Sequence, residues 1–150
     1  MKEISTDIEI GASADRVWRV LTDFPAFPDW NPFMPNAEGE LKAGATIKVR
    51  FQPPKGMGMT FKVTVLKAEP EQELRWAGRL LMPGLFDGEH VFSITAKDGG
   101  GVRFQQSETF RGILVPLFAV MGLFTNTLQG FNDMNQALKA RAEASEAPAA

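Results

Sequence analysis

Between residues 45 and 111 the chain alternates apolar and polar side chains in five successive segments, 45–52, 58–68, 72–80, 85–96 and 102–111. Period-two alternation puts one set of side chains on each face of an extended strand. Each segment therefore predicts a strand with one buried and one wet face, the habit of antiparallel sheets. Ile47, Val49 and Phe51 fall inward on the first, and Met59, Phe61, Val63 and Val65 on the second. Leu74, Trp76, Gly78 and Leu80 fall inward on the third, Phe86, Gly88, His90, Phe92 and Ile94 on the fourth, and Val102, Phe104, Gln106, Glu108 and Phe110 on the fifth. The joining stretches are short and carry turn formers: Pro53-Pro54-Lys55-Gly56, Glu69-Pro70, Met82-Pro83-Gly84 and Asp98-Gly99-Gly100-Gly101. Two more strands are expected: Met1 to Ile10, with Ile4, Thr6, Ile8 and Ile10 on one face, and a weak one near Ala37–Leu41.

Helical spacing appears in two places. After Gly11, Ser13 is placed as a helix N-cap with Asp15 in the first turn, and Val17, Val20, Leu21 and Phe24 recur on one side until Pro25. Arg16 stands where a full capping box has Glu or Gln. The proline-rich stretch Phe24–Phe33 predicts a turn or helical fragment that packs aromatic rings on the domain's edge. From Pro116 to about Glu143, Leu117, Val120, Met121, Phe124, Leu128, Phe131, Met134 (or Asn135) and Leu138 follow helical spacing. That predicts one long C-terminal helix crossing the concave side of the sheet. The reading is a single α+β domain over residues 1–145, with the Ala/Glu-rich stretch Ala142–Ala150 fraying into a tail at 146–150.

Composition excludes several functions. Sixteen Lys and Arg against 18 Asp and Glu give a formal charge of −2, without the basic excess of a nucleic-acid binder. There is no cysteine, hence no disulfide, thiolate metal site or thiol nucleophile, and His90 is the only histidine. No metal and no cofactor are expected. The N-terminus lacks the basic start and apolar stretch of a signal peptide. The longest apolar run, Ile113 to Phe124, is interrupted by Pro116 and is shorter than the roughly 18 residues that span a bilayer. A soluble, cytoplasmic monomer or homodimer without an integral membrane segment is expected.

Aligning the hairpins on their turns brings polar residues together on the apolar face. A turn centred on Gly99 sets His90 opposite Glu108 and Phe92 opposite Gln106, and one centred on Pro83 sets Trp76 opposite His90. A turn centred on Glu69-Pro70 sets Val63 opposite Trp76. The row reads Val63, Trp76, His90, Glu108, with Phe61, Gly78, Gly88, Phe110 beside it. Opposed side chains lie about 5 Å apart at Cβ. An inward carboxylate must be paired, hydrogen-bonded or wet. Three readings stand: His90 and Glu108 satisfy each other with Gln106, they form the polar end of a ligand pocket, or they work as an acid/base pair. Gly78 and Gly88 mark a bend in the sheet or a space for ligand. Met57, Met59, Met82 and Met121 suit an adaptable lipophilic wall. Loops 53–58 and 81–85 are a pocket entrance or a cover for the sheet edge.

Several segments resemble a known family. Ala12-Ser13-Ala14-Asp15-Arg16-Val17-Trp18, Leu21-Thr22-Asp23-Phe24 and Trp30-Asn31-Pro32-Phe33 look like the START-like superfamily of polyketide cyclase/dehydrase and lipid-transport proteins. Gly88-Glu89-His90-Val91-Phe92 and Glu108-Thr109-Phe110-Arg111-Gly112 fit a bacterial subgroup of it. The resemblance implies a helix-grip fold: a seven-stranded antiparallel sheet gripping the C-terminal helix, with two short helices after the first strand. It implies a cavity for a small lipophilic ligand (a lipid, quinone, polyketide-like or aromatic compound). That cavity would be lined by Phe61, Val63, Trp76, His90, Phe92, Phe104, Gln106, Glu108, Phe124 and Leu128. Binding or carriage is the first expectation. The alternative is a cyclase or dehydratase with His90 as acid/base and Glu108 orienting it; the chain lacks tyrosine, a common hydroxyl-directing residue.

Overall fold

A computed structural model describes residues 1–145; the tail expected at 146–150 lies outside the described residues. The strands are β1 (Lys2–Ile10), β2 (Asn36–Glu38), β3 (Thr46–Phe51), β4 (Met59–Glu69), β5 (Glu73–Arg79), β6 (Asp87–Ala96) and β7 (Val102–Arg111). They form one seven-stranded antiparallel sheet in the order β1-β7-β6-β5-β4-β3-β2. From β2 onward each strand pairs with its successor, and β1 returns beside β7, with Ile4 opposite Glu108 and Ile8 opposite Phe104. The sheet stays open, with β1 and β2 at its edges. Helix α1 (Ala14–Thr22), a 3-10 turn (Phe24–Ala26) and α2 (Phe27–Trp30) carry the chain from one edge to the other. Ser13 caps α1 as expected, its hydroxyl accepting from the Arg16 amide at 3.1 Å.

The concave face and the C-terminal helix enclose the core. Ile10, Ile47, Val49, Leu74, Phe92 and Phe104 meet Phe131, Met134 and Leu138 from the helix, all nearly inaccessible. The helix is also tied along β1. Thr6 bonds Asn132 at 2.6 Å, Lys139 Nζ donates to the Glu9 carbonyl at 2.9 Å, and the Glu143 carboxylate accepts from the Gly11 amide at 2.7 Å.

The structure departs from the sequence reading in four places. The C-terminal helix is two helices, α3 (Val115–Val120) and α4 (Leu123–Ser145), separated at Met121-Gly122. Gly122 has φ of +80°, a left-handed conformation that ends α3. Leu117, Val120 and Met121, expected inward, are 52, 88 and 69% exposed. Periodicity counts apolar spacing and does not register a single reversal of φ. Secondly, Ala142 is fully buried and helical, so the fraying expected from there does not start before Ser145. Thirdly, the Phe24–Phe33 stretch belongs to the interior rather than an edge: Phe24, Phe27 and Phe33 are buried, and the buried Asn31 side chain accepts from the amides of Phe33 and Met34. Lastly, the β4–β5 turn is centred on Glu71, which has φ of +67°, and a bulge lies between Val65 and Lys67. Val65, not Val63, therefore faces Trp76.

Candidate functional site

At one end of the sheet β3 turns into β4, β5 into β6, and β7 leads into α3. There the concave face does not close on the helix, and a cavity of about 530 Å³ opens, within the size range of small-molecule sites. Val63, Trp76, Gly78, Gly88 and Glu108 line it from the sheet. Phe33, Phe61, Phe86, Phe110 and Phe118 supply aromatic walls. The mouth is formed by loop 53–57, Arg79-Leu80 and the α3–α4 junction. Asn126 of α4 holds loop 53–57 in place, its side chain bonding both the amide and the carbonyl of Lys55.

Why the cavity lies at this end follows from side-chain volume. Toward the other end Phe92, Phe104, Phe131 and Met134 fill the space under α4. Here two glycines, Gly78 and Gly88, face each other across β5 and β6. The room above them is partly used. A Cβ on Gly88 would stand 2.5 Å from Glu108 Oε2, and one on Gly78 would stand 3.1 Å from Val63 Cγ1. Gly88 thus makes space for the carboxylate.

The row Trp76, His90, Glu108 forms in the expected register. His90 Nδ1 lies 3.3 Å from Glu108 Oε1, His90 Nε2 lies 2.9 Å from Gln106 Oε1, and Gln106 Nε2 donates to Asn135 Oδ1 at 2.9 Å. This polar chain runs from the cavity wall through the core to α4. With the Gln106 amide so oriented, its carbonyl accepts from Nε2, and a proton must then lie between Nδ1 and the carboxylate for that contact to attract. With both amides turned over, Nε2 accepts and Nδ1 donates to Glu108. The direction of each bond thus follows from the imidazole tautomer and the way the two amides face.

Exposure separates the two partners. His90 is 1% exposed, wedged against Phe92 and Phe131 at ring separations of 4.5 and 5.0 Å. The Glu108 side chain is 18% exposed and stands in the cavity wall. Any chemistry in the cavity therefore meets the carboxylate first, with the imidazole behind it.

Of the ten residues singled out from the sequence, Phe61, Val63, Trp76 and Glu108 stand in the wall. His90, Phe92, Phe104 and Gln106 are packed core, and Phe124 and Leu128 lie outside the wall, Phe124 against Phe110 at 4.9 Å. Met57, Met59 and Met121 line the cavity as the methionine pattern suggested, whereas Met82 does not. Phe33 was hidden in the proline-rich stretch. One signal for it existed: Gly130, a glycine inside α4, where a Cβ would stand 2.4 Å from the Phe33 ring. Among the described residues no group of three His, Cys, Asp or Glu side chains could hold a metal ion, and no helix is long and apolar enough to cross a membrane.

A seven-stranded antiparallel sheet gripping a long C-terminal helix, with an apolar cavity at one end, is the START-like helix-grip architecture. Residues 1–143 match the family described as polyketide cyclase / dehydrase and lipid transport, and the chain belongs to that family. No curated protein matches the sequence. Among solved structures the chain is similar to the ZhuI aromatase/cyclase from Streptomyces sp. R1128, with 17% identity, a TM-score of 0.76 and coverage of 95% of this chain and 93% of that one. Norcoclaurine synthase from Thalictrum flavum gives 16% identity, a TM-score of 0.73 and coverage of 97 and 96%. The di-domain aromatase/cyclase BexL gives 14% identity and a TM-score of 0.76, covering 99% of this chain and 48% of that one. At these identities the likeness is one of fold.

Proposed function

We propose that the protein binds a small lipophilic molecule bearing a hydrogen-bond donor. Its apolar body lies against Trp76 and the phenylalanines, and its donor meets Glu108. One observation carries this reading: a single carboxylate set into a largely apolar wall. A carboxylate taken out of water needs partners for both oxygens. His90 serves Oε1, and a ligand hydroxyl or N–H serves the other. A family that spans lipid transport and cyclases is compatible with this. The test is native mass spectrometry with organic extraction of wild type and Thr127→Trp, a substitution that fills the cavity from α4. A co-purifying or added hydroxylated lipophile held by wild type and lost in the variant supports the reading. No uptake from a panel of quinols, phenolic polyketides and fatty alcohols overturns it.

The Glu108–His90 contact favours a second reading, acid/base catalysis with the roles reversed from the sequence expectation. Glu108 takes a proton from carbon beside a ligand carbonyl and returns it to a departing hydroxyl, releasing water, while His90 positions the carboxylate. Deuterium exchange at the central carbon of a β-diketone in heavy water checks this. Exchange above buffer that Glu108→Gln abolishes supports it; exchange at the buffer rate with wild type removes it.

A further inference from the structure

Nearly all the exposed large apolar side chains stand at the cavity end. Of ten such residues among the described ones, only Leu66 lies away from it. Met57 on the β3–β4 loop, Leu81 and Met82 on the β5–β6 loop, and Ile113, Val120 and Met121 around α3 are 60 to 88% exposed. The three segments are held as one rim: Ile113 and Leu114 amides donate to the carbonyls of Gly84 and Leu85, and Asn126 binds Lys55. Helix α3 is apolar on every side. Its inner face packs Phe118 on Phe86 at a ring separation of 4.7 Å, while Leu117 and Val120 face out. A helix apolar all round needs cover on both sides.

Charge identifies the cover. The segments 51–59, 79–87 and 111–123 carry Lys55, Arg79 and Arg111 against the single acid Asp87, and Lys2 stands beside them on β1, opposite Phe110. Three cations to one anion in these segments reverse the acidic balance of the whole chain, and on β1 Lys2 is matched by Glu3. Exposed aliphatic and methionine side chains ringed by cations fit the interface of an anionic bilayer. A protein partner is recognised mainly through Trp, Tyr and Arg anchors packed at the centre of the contact; the rim exposes no aromatic anchor, and its arginines, Arg79 and Arg111, sit at the ends of strands beside the apolar loops.

We propose that this rim docks on anionic lipid bilayers and opens the cavity directly onto the acyl region, so that cargo passes without crossing water. The proposal rests on the lipophile-binding reading above. The test is flotation of the full chain with vesicles of phosphatidylcholine alone or with 30% phosphatidylglycerol, beside gel filtration with light scattering. The expected result is binding to the anionic vesicles that weakens about tenfold or more in Lys55→Glu/Arg79→Glu and in Leu81→Asp/Val120→Asp, and is unchanged in Leu66→Asp. Absence of binding to either vesicle overturns docking, as does equal loss in Leu66→Asp. A dimer that the Leu81→Asp/Val120→Asp variant dissociates, without vesicle binding, assigns the rim to a second copy instead. Uptake of 1-naphthol from solution is measured on the same samples. If uptake persists while vesicles are ignored, docking alone fails; if both are absent, the cavity reading fails with it.

Discussion

Glu108 and His90 stand in the reverse order of the sequence expectation, which put His90 in front and Glu108 behind it. The carboxylate touches the cavity, and the imidazole holds it from behind. His90→Ala leaves Gln106 and Glu108 without their shared partner and opens a void beside Phe131. It should cost about 2–4 kcal/mol in urea unfolding. Gly88→Ala acts differently. Its Cβ would meet only the end of a flexible side chain, 2.5 Å from Oε2, so the carboxylate swings away at a cost under about 1 kcal/mol. What should be lost is discrimination. Wild type should prefer 1-naphthol to 1-methylnaphthalene by about tenfold, since a hydrogen bond to a charged group is worth about 1.5–3 kcal/mol. Gly88→Ala and Glu108→Leu should bind the two alike in a fluorescence titration. A preference that survives both substitutions would move the polar anchor elsewhere.

At the scale of elements, α4 is held at both ends by contacts to the sheet's own strands and loops. Gly130 lets Phe33 pack between α4 and β3, with its ring 5.6 Å from Phe131 and 5.7 Å from Phe51. Ala is the better helix former by about 1 kcal/mol, yet here its Cβ would enter the ring. Gly130→Ala should therefore destabilise by about 1–3 kcal/mol in denaturant unfolding, the cost of overpacking. At the other end Lys139 and the Gly11 amide hold the Glu143 carboxyl below its ordinary range. A depressed folded value means this tether is present above the unfolded value and lost as pH falls through the folded one. The Gly11 amide resonance should follow that titration in acid by NMR. Glu143→Gln should remove the step and leave the amide shift flat.

The whole molecule has a close-packed half and a hollow half. The strands are continuous through both, so the cavity is supported by a fold that does not depend on its being filled. Ligand binding should nevertheless stabilise by mass action, about 2.7 kcal/mol at a hundredfold excess over Kd. For a chain of this size that is a rise in Tm of roughly 5–11 °C. Thr127→Trp should fold with nearly unchanged Tm and show no rise on adding 1-naphthol in differential scanning calorimetry. A rise in both would place the binding site outside the cavity.

The sheet was legible in the sequence because burial of one face imposes period two, and a one-residue slip would turn every side chain over. The same rule set Trp76, His90 and Glu108 in a row, since the turns at Pro83 and Gly99 are symmetric. It misplaced Val63, because the β4–β5 turn is centred on Glu71 rather than on Glu69-Pro70, and the bulge between Val65 and Lys67 takes back only one residue of that shift. Only tertiary packing decided the rest. Whether an inward side chain faces a helix or a hollow depends on what lies across from it, and here Phe131 and Met134 close one half while α3, ended at Gly122, walls the other with Phe118 and Met121. His90 and Glu108 are neighbours by register, but it is the volume above each of them that makes one core and the other wall.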